Sequence, residues 1–390
     1  MQHDLIAALR VEARDAPNSG IVEVFNYGRG REGLIPLWVG EGDLPTPDFI
    51  SDAAVKSLRA GETFYTYQRG LPELRAALAR YHTRVYGKPF DAERFFITVG
   101  GMQAIQTAVR MVSGVGDEVL IPTPAWPNFA AAISVGGATP IEVPMGFGNA
   151  GWTLDLDRLF AAANPKTKAI FLNSPSNPTG WTATLDELRA ILDFARQRGL
   201  WIIADEVYHR FYYSGPRSPS FYDLAEPDER ILYVNTFSKN WAMTGWRIGW
   251  LSAPPALGPT IENLVQYSTS GVAAFMQRAA TVALDDGEGF VRMQVERAHV
   301  GRDIAVKGLA ATGRVRFAEP EGAFYLFFSV DGEPDTRKLG LRLIDEANVG
   351  VAPGTAFGAA GSGFMRLCFA RDASQVREGT ARLAAWVARR

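Results

Sequence analysis

The chain is poor in the residues that build disulfides and metal sites. A single thiol, Cys368, stands among 390 residues, so neither an intrachain disulfide nor a cysteine-rich zinc site can form. The four histidines, His3, His82, His209 and His299, are scattered without metal-ligand spacing, and no metal is expected. No apolar run approaches the roughly 18 residues of a membrane-spanning helix. The start, Met1-Gln2-His3-Asp4, lacks a basic stretch leading into an apolar core, so no secretory signal is read there. An excess of one charge is missing as well. Forty Lys plus Arg against 42 Asp plus Glu leave a net charge of −2, without the basic surplus of a general nucleic-acid binder or a polybasic membrane protein. Repeats and low-complexity blocks are absent. The expected setting is cytoplasmic.

Hydrophobic residues make up 47% of the chain, enough for a sizeable core at this length and for two domains. The middle of the chain alternates short apolar runs with helix-like stretches. Arg94–Val99, Glu118–Ile121, Lys168–Leu172, Trp201–Ala204, Arg230–Asn235 and Ile248–Leu251 read as strands. Gly101–Val112 reads as a helix. So does Leu185–Gly199, with Leu185, Leu188, Ile191, Leu192 and Ala195 on its inner face. This alternation predicts an α/β protein: a three-layer α/β/α large domain around a mostly parallel sheet. The last hundred residues differ. A long helix over 287–311 is followed by strands near Phe317, Ala323–Val330 and Gly363–Phe369, with helices at 337–347 and 374–389, which predicts a smaller α+β domain. The expected division is 46–287 for the large domain, with 1–45 and 288–390 forming the small one.

In an open parallel sheet, ligands bind beyond the carboxyl ends of the strands. Gly100-Gly101-Met102 follows the first strand, and Asn173 through Gly180 follows the third. Asp205-Glu206-Val207-Tyr208 and Thr236-Phe237-Ser238-Lys239 follow the next two. Singly these are turn glycines, a cap and a surface lysine. Together, a phosphate site, an acid, a phenol and a lysine at one edge suit an aldehyde cofactor bound as a Schiff base. A competing signal, Gly28-Arg29-Gly30-Arg31-Glu32-Gly33, matches the dinucleotide spacing. It leads into Leu34–Trp38, which reads as extended rather than helical, so a dehydrogenase is disfavoured.

Thr236-Phe237-Ser238-Lys239, followed by Thr244-Gly245-Trp246-Arg247-Ile248-Gly249, resembles the class I/II pyridoxal-phosphate aminotransferases of fold type I. The resemblance runs along most of the chain, through Gly40–Pro47, Tyr65-Thr66, Gly100-Gly101, Pro124–Pro127, Asn177–Gly180, Asp205 with Tyr208, Pro353–Gly358 and Arg366-Leu367. It implies pyridoxal 5'-phosphate as cofactor and a ping-pong transfer of an amino group between an amino acid and a 2-oxo acid. Lys239 is then the Schiff-base lysine and proton shuttle, Asp205 the partner of the pyridine nitrogen, and Tyr208 and Asn177 the partners of the ring oxygen. Trp126 stacks on the ring. Gly100, Gly101, Met102, Thr236, Ser238 and Arg247 hold the phosphate, joined by Tyr65 from a partner subunit, which implies a homodimer. Arg366 grips the substrate carboxylate near Gly40. The same motifs leave open a cystathionine β-lyase or an ACC-synthase-like enzyme. A non-catalytic sensor would need an added DNA-binding domain. Aspartate, aromatic amino acids and alanine stay open as donors, and 2-oxoglutarate or pyruvate as acceptor. Phe25, Tyr27 and Trp38 are read either as the substrate entrance or as core. His209 is read as packing or support for its neighbours, and Cys368 as a core thiol.

Overall fold

The structure, a computed structural model, describes residues 2–17 and 19–390. Its centre is a seven-stranded sheet formed by β1 (Phe95–Thr98), β2 (Glu118–Thr123), β3 (Thr139–Pro144), β4 (Thr167–Asn173), β5 (Trp201–Asp205), β6 (Ile231–Thr236) and β7 (Gly249–Ser252). The strand order is β1-β7-β6-β5-β4-β2-β3. The run from β6 to β3 is parallel, and β7 lies antiparallel to both neighbours.

Alternation along the strands explains the layers. Ile170, Leu172, Ile202 and Ala204 pack on one face against Leu188, Ile191, Leu192 and Ala195 of the helix Leu185–Arg198. Ala169, Phe171, Ile203 and Val234 face the other way, onto Ile105, Ala108 and Val109 of the helix Gly100–Val112. Fully burying one large apolar side chain contributes about 1.5–3 kcal/mol, so the two covered faces hold the helices more firmly than intrinsic propensity does. Leu185 corrects the inward set expected for its helix. It is the first residue after the Thr184 cap, where Glu187 N–H donates to Thr184 Oγ1 at 3.2 Å, and it is 38% exposed.

A second, antiparallel sheet joins β8 (Val315–Phe317), β9 (Tyr325–Val330), β10 (Ala352–Pro353) and β11 (Met365–Cys368) in the order β8-β9-β11-β10. The helices Glu288–Ala310 and Ala373–Ala388 accompany it. The two chain ends meet here. Ile35–Pro36 pairs in parallel with Val349–Gly350, and the helix Gly20–Gly28 brings Val24 against Gly340 of the helix Thr336–Ala347. Gly28 therefore ends a helix and leads into a strand, the reverse of what a dinucleotide fingerprint requires.

Candidate active site

The carboxyl ends of β4, β5 and β6 open into a cleft of about 480 Å³. Its wall includes Gly40, Gly101, Met102, Trp126, Asn177, Asp205, Tyr208, Thr236, Ser238, Lys239, Arg247 and Arg366. Twelve of the fourteen residues singled out above thus meet in one place. Gly100 backs onto the Arg247 guanidinium at the edge of the site. Tyr65 stands away from it, 93% exposed.

Lys239 is set by a short helix, Phe237–Asn240, that β6 feeds directly. Thr236 caps it, its Oγ1 accepting from Ser238 N–H at 3.2 Å. The Lys239 ammonium donates to the Gly40 carbonyl at 2.7 Å. Burial lowers its pKa from the ordinary lysine value to about 8, which makes the free amine accessible near neutrality. Asp205 ends β5. Its Oδ1 accepts from Val207 N–H at 3.2 Å, and burial pushes its carboxyl up to about 7. A carboxyl this easily protonated is suited to sharing a proton with a basic ring nitrogen placed against it.

Arg366 reaches the cleft from β11, in the second sheet. It is 2% exposed, donating from Nη1 to Asn177 Oδ1 at 2.9 Å and from Nη2 to the Trp38 carbonyl at 2.5 Å. Rings of Tyr325 and Phe357 lie 4.5 and 4.9 Å from the guanidinium. Two of its five N–H donors are spent on these bonds, and Nε is buried without a partner. A buried fork with donors to spare fits a carboxylate. Asn177 is held in turn, its N–H donating to Asn173 Oδ1 at 2.8 Å while Asn173 Nδ2 donates to the Asp205 carbonyl at 3.1 Å.

An anion cradle closes one end. The helix Gly100–Val112 starts there with no side-chain cap, leaving its first N–H groups free for a ligand. The hydroxyls of Thr236 and Ser238, 2.9 Å apart, and the Arg247 guanidinium, fixed by Nη1 donating to Thr244 O at 2.7 Å, stand beside it. Gly249 lies under this turn. A Cβ there would fall 2.7 Å from Asn235 O and 2.9 Å from Gly100 C. Backbone of the cradle itself would have to move, so Gly249→Ala is expected to raise the Kd for added pyridoxal phosphate, the cofactor the sequence resemblance implies, about tenfold or more. That corresponds to the 1–3 kcal/mol of an overpacked site, and fluorescence titration of cofactor-free protein would measure it.

Tyr325 was not singled out from the sequence, yet it is central. Its Oη lies 2.7 Å from Tyr208 Oη, and a Cβ on Gly40 would fall 2.3 Å from it. Close approach of this phenol therefore accounts for glycine at 40. The available signal was a polar-tipped ring at the start of an apolar strand. The entrance also differs from one reading made of it. Trp38 is a core residue, 3% exposed, packed on Gly28 and Gly350. Tyr27 donates outward to Asp345 at 2.9 Å, and Phe25 meets the Trp38 ring edge-on. Ser19, Ile21 and Val22 from the same segment line the cleft instead.

An open, mostly parallel sheet with a polar cleft at its strand ends places the protein among the α/β folds that bind ligands there. A family model described as aminotransferase class I and II matches residues 32–383, and the chain belongs to that family. It is similar to aromatic-amino-acid aminotransferase 2 of Thermococcus litoralis, at 36% identity over 94% of both chains. It is also similar to a probable aspartate/prephenate aminotransferase of Aquifex aeolicus, at 35% over 90% of both. Among solved structures, aspartate aminotransferase of Thermus thermophilus with maleate superposes with a TM-score of 0.90. Identity there is 32%, covering 97% of this chain and 99% of that one.

Proposed function

We propose that this aminotransferase holds pyridoxal 5'-phosphate in the cleft and takes amino groups from α-amino acids with aromatic or large apolar side chains. The observation that carries the reading is the buried Arg366 fork facing the same cleft as the Lys239 amine. When bound, the cofactor supplies an electron-poor ring that takes up the electron pair left by a breaking bond at Cα. The chain's own residues do the rest. The helix start at Gly101, with Thr236, Ser238 and Arg247, anchors the phosphate. Asp205 would keep a proton on the ring nitrogen. Tyr208 and Asn177 would address the ring oxygen, and Trp126 would lie against the ring. Lys239 would hold the aldehyde at rest; once the incoming amino group takes its place, the freed Nζ would carry the proton from Cα. Arg366 orients the α-carboxylate so that the Cα–H bond faces that amine.

The apolar wall of Ile21, Val22 and Val39 supports an aromatic donor. Aspartate is the second reading, favoured by the names of several relatives. The acceptor is 2-oxoglutarate or pyruvate. Tyr65 reaches the phosphate of a partner subunit in a homodimer, a role supported by its exposure, which its chain neighbours Phe64 and Tyr67 share. The pairing of the chain ends supports a large body of 46–287 and a small one of 1–45 with 288–390. No helix among the described residues is long and apolar enough to cross a membrane, and the setting we assign is cytoplasmic.

A panel of amino acids added to cofactor-loaded protein tests this, with conversion of the aldehyde absorption band to the amine band timed for each. Fast conversion by aromatic amino acids is expected. Pyruvate and ammonia from a cysteine conjugate, without that conversion, would make the enzyme a β-lyase. Arg366→Lys replaces a fork with a point charge. It is expected to cost about 3 kcal/mol, roughly a hundredfold in kcat/KM, while cofactor loading stays near that of the parent. Equal losses in both would place Arg366 in the fold rather than at the substrate.

A further inference from the structure

His209 is 1% exposed and lies outside the cleft wall, so none of the chemistry above uses it. A residue that only fills space needs no ring nitrogens, yet both of these are occupied. Nδ1 lies 3.0 Å from the Glu206 carbonyl oxygen and 3.2 Å from Asn235 Nδ2, which itself donates to that oxygen; the carbonyl can only accept and is the nearer partner, so Nδ1 carries the hydrogen. Nε2 then accepts from Tyr81 Oη at 2.9 Å. Burial, with the charge of Arg210 next to it, holds the ring neutral by pushing its pKa well below the usual histidine range.

The Glu206 carbonyl also takes the His209 backbone N–H at 3.0 Å and Asn235 Nδ2 at 3.2 Å. The other end of that peptide unit is Val207 N–H, the group that donates to Asp205 Oδ1. Three donors on the oxygen fix the plane of the peptide and draw electron density toward the oxygen, which strengthens the N–H as a donor. Asn235 extends the tie, its Oδ1 accepting from Thr236 N–H at 2.8 Å.

We propose that His209 is a positioning residue for Asp205, acting through the Glu206–Val207 peptide and not through any contact with ligand. The proposal rests on the role given to Asp205 above. The charged and titratable groups around the relay are few. Tyr81, Arg210, His82 and Arg217 act on His209. Arg210 is paired with Glu288 at 2.6 Å. The Glu206 carboxyl is turned away onto Ser220, 2.7 Å from its Oγ, and Tyr86. Lys239 acts on Asp205, and Asp205 in turn on Tyr208.

Two substitutions separate positioning from packing. His209→Asn keeps an N–H donor close to the place of Nδ1, whereas His209→Leu has none. Full-length protein with 13C-labelled aspartate carboxyls is titrated without cofactor by NMR, and the Asp205 signal is identified by its loss in Asp205→Asn. The midpoint of that signal is expected to rise by about half a pH unit or more in His209→Leu, because losing a donor on the Glu206 oxygen weakens Val207 N–H as a donor and so disfavours the charged Asp205 carboxylate. It should return toward the parent value in His209→Asn. An unmoved midpoint in folded His209→Leu overturns the proposal, and so does an equal shift in both variants. The cofactor-loaded Asp205→Asn protein judges the other reading separately. If it transaminates like the parent, the role given to Asp205 fails. If it is impaired while His209→Leu leaves the midpoint in place, only the relay fails.

Discussion

Lys239→Ala is expected to slow the amino-acid half-reaction by about 10⁴-fold or more, since it removes both the covalent anchor and the proton carrier we propose. Pyridoxal phosphate should still associate, held by the anion cradle and Asp205, but borohydride treatment should leave the protein mass unchanged. A reduced adduct at parent stoichiometry would move the anchor to another lysine. The parent protein offers a companion measurement. The Lys239 amine has its pKa lowered to about 8, so the reactive free base appears at lower pH than on an ordinary lysine. Covalent capture of pyridoxal phosphate by cofactor-free protein should quicken about tenfold per pH unit below that value and level off above it. A profile still climbing steeply above pH 9 would show that burial does not tune this amine.

Asp205→Asn is expected to slow the same half-reaction by about 10³-fold, roughly 4 kcal/mol at the transition state. The substitution keeps the shape of the side chain and its bond from Val207 N–H. It removes only the ability to balance a proton on the ring nitrogen, so cofactor affinity should fall much less than the rate. Deprotonation of a Cα-deuterated amino acid should become the slow step, with a larger isotope effect than in the parent. Turnover like that of the parent would make this acid structural.

The strands that end at Asp205 and lead into Lys239 were legible because each is a short apolar run that ends in polar residues, and because parallel sheets gather ligands at those ends. Chain order was enough to collect Asn177, Asp205, Tyr208 and Lys239. What escaped came from contacts between distant segments. Tyr325 belongs to a strand that looks purely apolar, and its importance arises from Gly40 and Tyr208, which lie far away in the chain. Trp38 and Val22 sit in one aromatic-rich segment, and only the pairing of Ile35–Pro36 with Val349–Gly350 decides which faces the core and which the cleft. Leu185 fits the helical period, but the cap just before it leaves it at the exposed start of the helix.

The bond from Arg366 to the Trp38 carbonyl joins residues 328 positions apart. At roughly 5–20 residues per second on the ribosome, about 16–66 s separate the synthesis of its two partners. Asp205, Lys239 and the anion cradle are all translated well before the guanidinium that completes the cleft. In a nascent chain the residues we assign to the cofactor therefore all precede the one we assign to the amino-acid carboxylate.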